Sequence, residues 1–209
     1  MIMNPENDYR QYAPATQRNR DPIFDVLVTV LPDKGNILEI ASGTGEHSVY
    51  FAPKLKNHQW IPSEPDAIRR QSIESWQQFC PSPNLLNVQN INVLNSDWNE
   101  PLKDLEITAI VNINMIHISP WEAYLRLIEG AKKLLSSGRI LYLYGPYKRD
   151  KKHTSPSNET FDQSLRAQNK SWGVRDLEDV IEIAEKQGFK LVKTVAMPAN
   201  NLSVVFQKI

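Results

Sequence analysis

Short apolar segments alternate with amphipathic segments along most of this 209-residue chain. Runs of β-branched and other apolar residues predict five strands; they cover 36–41, 58–63, 88–94, 107–114 and 139–145. Apolar positions three and four residues apart predict helices in the intervals between these strands. Repeated alternation of strand and helix is typical of a doubly wound α/β sheet.

Two further apolar segments, 189–197 and 202–208, close the chain. The interval between them is too short for a crossover helix, so they are predicted to pair as an antiparallel hairpin. The complete prediction is an α/β fold with a Rossmann-like, doubly wound sheet of seven strands. The sheet is mostly parallel, and one strand of the C-terminal β-hairpin is antiparallel.

Residues 1–20 are polar and are predicted to form an N-terminal arm or lid. Asp21 followed by Pro22 is typical of an N-cap and the first residue of a helix. The sequence therefore predicts a single domain over 21–209, with the arm preceding it.

The charge balance changes the list of expected partners. Lys and Arg number 24, as do Asp and Glu, so the net charge is zero and neither nucleic acid nor a membrane is an expected partner. The single Cys80 cannot form an internal disulfide, and no leader or membrane-spanning run is recognisable, so we expect a cytoplasmic protein. The scattered histidines lack the spacing of metal ligands, and no metal is expected.

A glycine-rich turn follows the first predicted strand, in the stretch LEIASGTGEH. Gly43 and Gly45 allow the backbone to turn tightly and to approach a ligand closely, although a turn needed only for packing would use the same residues. Glu64 follows Gly45 by 19 residues at the end of the second strand. A carboxylate at that point can accept hydrogen bonds from both hydroxyls of an adenosine ribose.

The type of nucleoside cofactor depends on the charges near this turn. The dinucleotide fingerprint has a third glycine where this chain has Ser48, and a pyrophosphate is poorly suited to the nearby acids Glu39 and Glu46. S-adenosylmethionine carries a sulfonium and an ammonium, which a carboxylate attracts. The pattern thus favours S-adenosylmethionine over NAD, with Glu39 at the amino-acid end of the cofactor.

Asp97 and Trp98 follow the third predicted strand. An acid there can accept a hydrogen bond from the adenine amino group, and the indole offers an apolar face to the base. A turn aspartate beside a partly buried tryptophan is the structural alternative.

Nearly the whole chain resembles a methyltransferase-like family with the class I methyltransferase fold, known as domain of unknown function 938 and including methyltransferase-like protein 26. The matching segments include LEIASGTGEH, INMIHISP, YGPY at 144–147, WG at 172–173 and MPANN at 197–201. The resemblance implies a site for S-adenosylmethionine, released as S-adenosylhomocysteine after transfer. The implied cofactor residues are Glu39, Ala41, Gly43, Gly45, Glu64, Asp97, Trp98 and Asn114. Ala41 departs from the wider class, which commonly has glycine at this position.

Candidate residues for the chemistry follow the fourth predicted strand. Asn114 is predicted to align the acceptor, and His117 to remove its proton, with a purely structural role as the alternative for His117. Tyr144 and Tyr147 are candidates for the wall of the acceptor pocket. Arg18 and Asn19 are candidates for a lid, and the resemblance adds Asn200 and Asn201 in the hairpin turn.

The sequence therefore predicts a methyltransferase dependent on S-adenosylmethionine that acts on an unidentified small-molecule acceptor. A protein that binds the cofactor without catalysis is the second hypothesis. An NAD-dependent oxidoreductase is the third, and Ser48 disfavours it.

Overall fold

A computed structural model of the protein describes residues 8–209. Six strands form the central sheet and two short strands pair with one of them. The strands are β1 (Gly35–Ile40), β2 (His58–Ser63), β3 (Ile107–Ile113), β4 (Leu135–Arg149), β5 (Lys152–His153), β6 (Arg175–Asp176), β7 (Phe189–Met197) and β8 (Asn201–Lys208). The helices are α1 (Pro14–Val30), α2 (Glu46–Phe51), α3 (Ala67–Phe79), α4 (Trp121–Leu134), α5 (Pro156–Gln168) and α6 (Leu177–Lys186).

The central sheet has the strand order β2-β1-β3-β4-β8-β7. Strands β2, β1, β3 and β4 are parallel, whereas β8 is antiparallel to both of its neighbours. The prediction of a mostly parallel, doubly wound sheet with one antiparallel hairpin strand is confirmed. The carboxyl ends of β1, β3 and β4 consequently meet at one edge of the sheet, where open α/β sheets bind their ligands.

The strand predicted over 88–94 does not form as a continuous strand. Its place beside β2 is taken by an irregular segment, with isolated bridges from Trp60 to Leu85 and from Ser63 to Gln89. The extended conformation ends at Asn92, because the Asn92 side chain accepts a hydrogen bond from the backbone N–H of Leu94 (3.0 Å). Local bonds of this kind compete with strand pairing.

Helix α1 begins earlier than predicted. Pro14 is its first residue, and Pro22, which was expected at the helix start, lies inside the helix. Residues 14–20 are therefore helical, so only 8–13 of the described residues fit the predicted arm, and 1–7 lie outside the described residues. Pro14 suits the first turn because a backbone N–H has no helical partner there.

Apolar side chains cover both faces of the sheet. One face packs against α1 and α2 through residues such as Ile23, Leu27 and Phe51, and the other packs against α4 and α6 through Leu127 and Val180. Strands buried on both sides explain the nearly continuous apolar runs in the sequence. Among residues 8–209, no helix combines the length and apolarity needed to cross a membrane.

Candidate functional site

Two adjoining cavities open at the carboxyl edge of the sheet. The first, of about 300 Å³, is bordered by the loop after β1, the start of α1 and the segment after β3. Its wall includes Gln11, Ala13, Ala15, Thr16, Asn19, Glu39, Ala41, Ser42, Gly43, Thr44, His47, Arg69, Ile113, Asn114, Met115 and Ile118. The first cavity thus brings together Glu39, Ala41, Gly43, Asn19 and Asn114 from the predicted set.

The two glycines of the turn have different surroundings. Gly43 has a φ of +59° and faces open space, since a Cβ there would have no atom within 4 Å. A Cβ on Gly45, whose φ is +92°, would lie 2.9 Å from Cγ1 of Ile73 on α3. Gly43 therefore leaves room in the cavity, while Gly45 allows α3 to pack against the turn. Ala41 also has positive φ (57°), a conformation that suits the glycine of the wider class.

Glu39 is a buried carboxylate in the wall of the first cavity. Its Oε2 accepts a hydrogen bond from the Trp60 indole (2.9 Å) and another from the Ser48 hydroxyl. Burial raises the pKa of Glu39, and these hydrogen bonds oppose the increase. Both hydrogen-bond donors are neutral, so neither compensates the negative charge of the carboxylate. A cationic ligand would supply that compensating charge.

Glu64 lies behind the turn and holds it in place. Its carboxylate accepts hydrogen bonds from the backbone N–H groups of Gly43 (3.0 Å) and Asp66 (3.2 Å). Asp66 itself caps α3, accepting from the N–H of Arg69 at 2.9 Å. Burial raises the pKa of Glu64, and the two backbone hydrogen bonds oppose the increase. Glu64 is absent from the cavity wall, so its contact with a ribose stays a prediction.

The second cavity, of about 240 Å³, lies beside the first. Its wall includes Ala15, Asn19, Asn114, Tyr144, Pro146, Ser157, Asn158, Phe161, Ala199 and Asn201. Pro146 and Asn201 are register partners across β4 and β8, so the hairpin fixes one side of this cavity. Ala15, Asn19 and Asn114 line both cavities and form their junction.

Asn114 owes its position to an unusual backbone conformation. It follows β3 with a φ of 65°, in the left-handed region that asparagine tolerates better than most residues. Its N–H donates to the carbonyl of Tyr144 (2.8 Å), and its carbonyl accepts from the N–H of His117 (3.0 Å). This turn leaves the Asn114 side chain at the junction of the two cavities.

His47 lines the first cavity, and only its place in LEIASGTGEH pointed to it before the structure was known. Its Nε2 lies 2.9 Å from Oδ1 of Asn19, and its ring stacks on Phe51. Burial, with a smaller effect from the nearby Arg20, lowers the pKa of His47 far below its usual value. The imidazole is therefore neutral and anchors Asn19 at the junction.

His117 contradicts the prediction of a general base. It is fully buried and lines neither cavity, and its Nδ1 accepts from the N–H of Arg175 (3.3 Å). Burial, assisted by the Arg175 charge, lowers the pKa of His117 to about 3. Its ring instead packs edge-on against Tyr147, which is also buried away from both cavities. Both residues are structural, so the acceptor-wall prediction for Tyr147 is wrong as well.

Trp98 was predicted to contact adenine and instead belongs to the core. Its ring fills a notch at Gly130 of α4, where a Cβ would lie 2.1 Å from Cζ2 of the indole. Its indole N–H donates to the carbonyl of Arg126 at 3.0 Å. Asp97 is exposed in the neighbouring loop and lines neither cavity, so its adenine contact stays a prediction.

The remaining predicted residues divide between the cavity and the surface. Tyr144 and Asn201 line the second cavity. Arg18 is exposed on α1 and lines neither cavity. Asn200 also lies outside the wall, where its carbonyl accepts from the side chain of Asn158 (2.9 Å) and its amide donates to Ser157 (3.1 Å). Asn200 thus supports the hairpin turn and does not line the second cavity.

Residues 8–13, here called the strap, cross α3 and reach the edge of the first cavity. The N–H of Gln11 donates to Ser72 (2.8 Å), the carbonyl of Gln11 accepts from the Trp76 indole (3.0 Å), and the N–H of Ala13 donates to Glu46. The strap thereby brings Gln11 and Ala13 into the wall of the first cavity.

Residues around the first cavity fit S-adenosylmethionine better than a dinucleotide. Gly43 leaves open space, and Glu39 is a buried acid with neutral partners. Ser48, at the position of the third dinucleotide glycine, is fully buried and donates to Glu39. A pyrophosphate at this turn would therefore approach carboxylates, whereas a sulfonium or ammonium would be attracted to them.

Solved structures show the same fold. An O-methyltransferase family 2 protein from Planctomyces limnophilus, in complex with apigenin, aligns over all of this chain with a TM-score of 0.76 and 16% identity. An O-methyltransferase family protein from Burkholderia thailandensis aligns over 90% of the chain with a TM-score of 0.75 and 12% identity. The chain covers 63% and 55% of those two chains. Its fold is that of the class I methyltransferases.

A narrower relationship comes from the sequence family. The family described as "Protein of unknown function (DUF938)" matches residues 10–208. The chain belongs to this family, and the resemblance noted from its motifs is confirmed.

Proposed function

We propose that this protein is an S-adenosylmethionine-dependent methyltransferase that acts on a small-molecule acceptor and not on nucleic acid. The observation that supports the proposal is the junction of two cavities at Asn19 and Asn114. In this proposal the first cavity holds the methyl donor and the second holds the acceptor. Solved structures of the same fold support the choice of donor, since that of the methyltransferase CalO1 is an S-adenosylhomocysteine-bound form.

Bound S-adenosylmethionine would supply an electrophilic methyl group to a nucleophilic atom of the acceptor and would leave as S-adenosylhomocysteine. The residues of this chain hold and align the reactants. Glu39 attracts the cationic amino-acid end, and the amides of Asn114 and Asn19 orient the acceptor. Such alignment can lower a barrier by ~7–11 kcal/mol.

The strap is the proposed cover of the first cavity. Gln11 and Ala13 lie in its wall, and three hydrogen bonds to α3 and one to α2 hold residues 8–13 across its edge. A closed strap limits the access of water to the donor, which strengthens the electrostatic attraction of Glu39. We therefore assign residues 8–13 of the arm predicted from the sequence to this role.

A binding protein without catalysis is the second candidate, and the second cavity supplies a reason for it. Among the residues described, its wall has no carboxylate or imidazole. Burial raises the pKa of Tyr144, and a hydrogen bond from Asn19 opposes the increase, so this phenol is protonated at neutral pH. A proton lost by the acceptor would then have to pass to solvent. An acceptor that is nucleophilic without losing a proton first is therefore favoured.

Calorimetry tests the donor site with two matched variants. S-adenosylhomocysteine is expected to bind the wild type and NADH is not. Gly43→Trp should abolish binding by filling the first cavity. Gly138→Trp is the control, because Gly138 also has positive φ (+84°) and open space but lies at the amino-terminal end of β4. Binding of NADH alone, or equal effects of the two variants, would refute the donor site.

Incubation of cell metabolites with methyl-labelled S-adenosylmethionine separates enzyme from binder. A labelled small molecule that forms with wild type and Gly138→Trp, but not with Gly43→Trp, establishes transfer. Tight cofactor binding without any labelled product supports the second candidate.

A further inference from the structure

The wall of the second cavity is mostly apolar surface, and its polar side chains are uncharged. Over the described part of the chain, its polar side chains are four asparagines, one serine and one tyrosine: Asn19, Asn114, Tyr144, Ser157, Asn158 and Asn201. The other wall residues are apolar. Neutral polar groups orient a ligand through hydrogen bonds, and they give a charged ligand no ion pair to offset the loss of its hydration.

Two of these amides have already used their donors within the protein. The Asn158 amide group donates to Thr154 (3.0 Å) and to the carbonyl of Asn200 (2.9 Å). That of Asn201 donates to the carbonyl of Pro198 at 3.0 Å. Their side-chain oxygens are therefore the atoms that remain for a ligand, and an amide oxygen only accepts hydrogen bonds.

Tyr144 offers the complementary donor. Oδ1 of Asn19 is engaged by Nε2 of neutral His47 at 2.9 Å, so Asn19 has its amide hydrogens left for the Tyr144 oxygen. Tyr144 lines the same wall as the Asn19 amide, and its hydroxyl can direct its own hydrogen toward a ligand. His47 is thus a positioning residue that acts on the acceptor side through Asn19.

A charged cluster on α5 and β4 lies outside the wall of the second cavity. Asp162, which follows the wall residue Phe161 on α5, contacts Lys148 at 3.3 Å and Arg166 at 3.1 Å. It also accepts from the N–H of Val174 at 2.7 Å. Lys148 and Arg166 line a separate cleft, and no residue of this cluster lines the second cavity.

We infer that the second cavity selects a small, uncharged acceptor that carries its own N–H or O–H donors. An anionic group such as a carboxylate has only acceptor atoms and would meet the amide oxygens of Asn158 and Asn201. A cationic group would find no carboxylate in the described wall to offset the loss of its hydration. A volume of about 240 Å³ lies below the ~300–1,000 Å³ of drug-sized sites, so the acceptor is small. The inference rests on the proposed function, since it names the acceptor class of the same site.

Three probes of nearly equal shape test the charge preference. para-Hydroxybenzamide is neutral, para-hydroxybenzoate is anionic and para-hydroxybenzylamine is cationic. Calorimetric titrations use full-length protein saturated with S-adenosylhomocysteine. The amide is expected to bind at least tenfold more tightly than either charged probe.

A charge reversal strengthens the test. Asn201→Asp places a carboxylate in the wall with little change in size, and it should shift the preference toward the benzylamine at least tenfold. Asn87→Asp is the matched control, because Asn87 is exposed and outside the wall, and it should leave the order unchanged. His47→Gln should weaken amide binding more than S-adenosylhomocysteine binding.

Two outcomes would overturn this inference while the proposed function stands. One is that a charged probe binds as tightly as the amide, and the other is that none of the three binds the S-adenosylhomocysteine-loaded protein. Failure of S-adenosylhomocysteine itself to bind would instead refute the proposed function.

Discussion

Trp60 on β2 donates its indole N–H to Oε2 of Glu39 on β1, across neighbouring parallel strands, at 2.9 Å. Ser48 on α2 donates to the same oxygen. The carboxylate is thus oriented by neutral groups from two elements at the wall of the first cavity. Such an arrangement favours a cationic ligand, because a positive charge stabilises the ionised form that burial disfavours.

Glu39→Gln is expected to weaken binding of S-adenosylmethionine and S-adenosylhomocysteine by ~1.5–3 kcal/mol, the range for hydrogen bonds to charged groups. Glutamine keeps the size of the side chain and an oxygen that accepts from Trp60. Calorimetry measures the affinities, and Glu74→Gln on the exposed side of α3 is the control. Unchanged affinity in a folded Glu39→Gln protein would contradict a contact with the cationic end of the cofactor.

The same variant should alter the pH dependence of stability. Because burial raises the pKa of Glu39 in the folded protein, the stability linked to this carboxyl is lost as the pH rises through its raised pKa. The free energy of unfolding of Glu39→Gln, relative to wild type, should therefore increase as the pH rises above 4.5, the ordinary pKa of a glutamate. Urea titrations at several pH values measure this difference, and a constant difference would refute the shift.

Ala41→Gly is expected to stabilise the protein slightly. A left-handed conformation costs a non-glycine residue roughly 1–2 kcal/mol, and the φ of Ala41 is 57°. The greater freedom of glycine in the unfolded chain offsets about 0.4–1 kcal/mol of the gain. Ala131→Gly is the control within helix α4, where it should destabilise the fold. Loss of stability in both variants, measured by urea denaturation, would be inconsistent with strain at Ala41.

Trp98→Phe tests the reassignment of this tryptophan to the core. We expect a loss of stability of about 1–3 kcal/mol, because the hydrogen bond to Arg126 and part of the packing at Gly130 disappear. Affinity for S-adenosylhomocysteine should stay within twofold of wild type under conditions where the variant is folded. A large loss of affinity with little change in stability would restore the adenine contact.

Residues at the ends of strands were the predictable part of the site. The acid Glu39, the open Gly43 and the amide Asn114 all lie at or just after the ends of strands that the apolar pattern identified, and such ends meet at one edge of a parallel sheet. The alternation of strands and helices made the fold predictable as well. The irregular segment at 88–94 was not predictable, because it depends on side-chain bonds such as that of Asn92.

The errors concern side chains whose direction depends on distant parts of the chain. Trp98 turns inward because Gly130 leaves a notch in α4, and His117 is held by the backbone of Arg175. His47 went unselected because its partner Asn19 lies on α1, in a segment that was expected to be an arm. The spacing of apolar residues, which predicts strands and helices, carries no information about such contacts.

His117→Gln is expected to destabilise the protein near neutral pH and to do so less in acid. In the unfolded chain the imidazole gains a proton near pH 6.5, whereas in the folded chain burial lowers its pKa to about 3. The stability linked to neutral His117 is therefore complete above pH 6.5 and is lost as the pH falls toward 3. Glutamine does not titrate, so the stability advantage of wild type over the variant should shrink between pH 7.5 and 5.

Tyr147→Phe is the control, because it changes a ring whose centroid lies 5.0 Å from that of His117. The difference in stability between Tyr147→Phe and wild type should not vary over this range. Denaturation curves at each pH measure both differences; a pH-independent effect of His117→Gln would mean that position 117 does not hold its imidazole neutral.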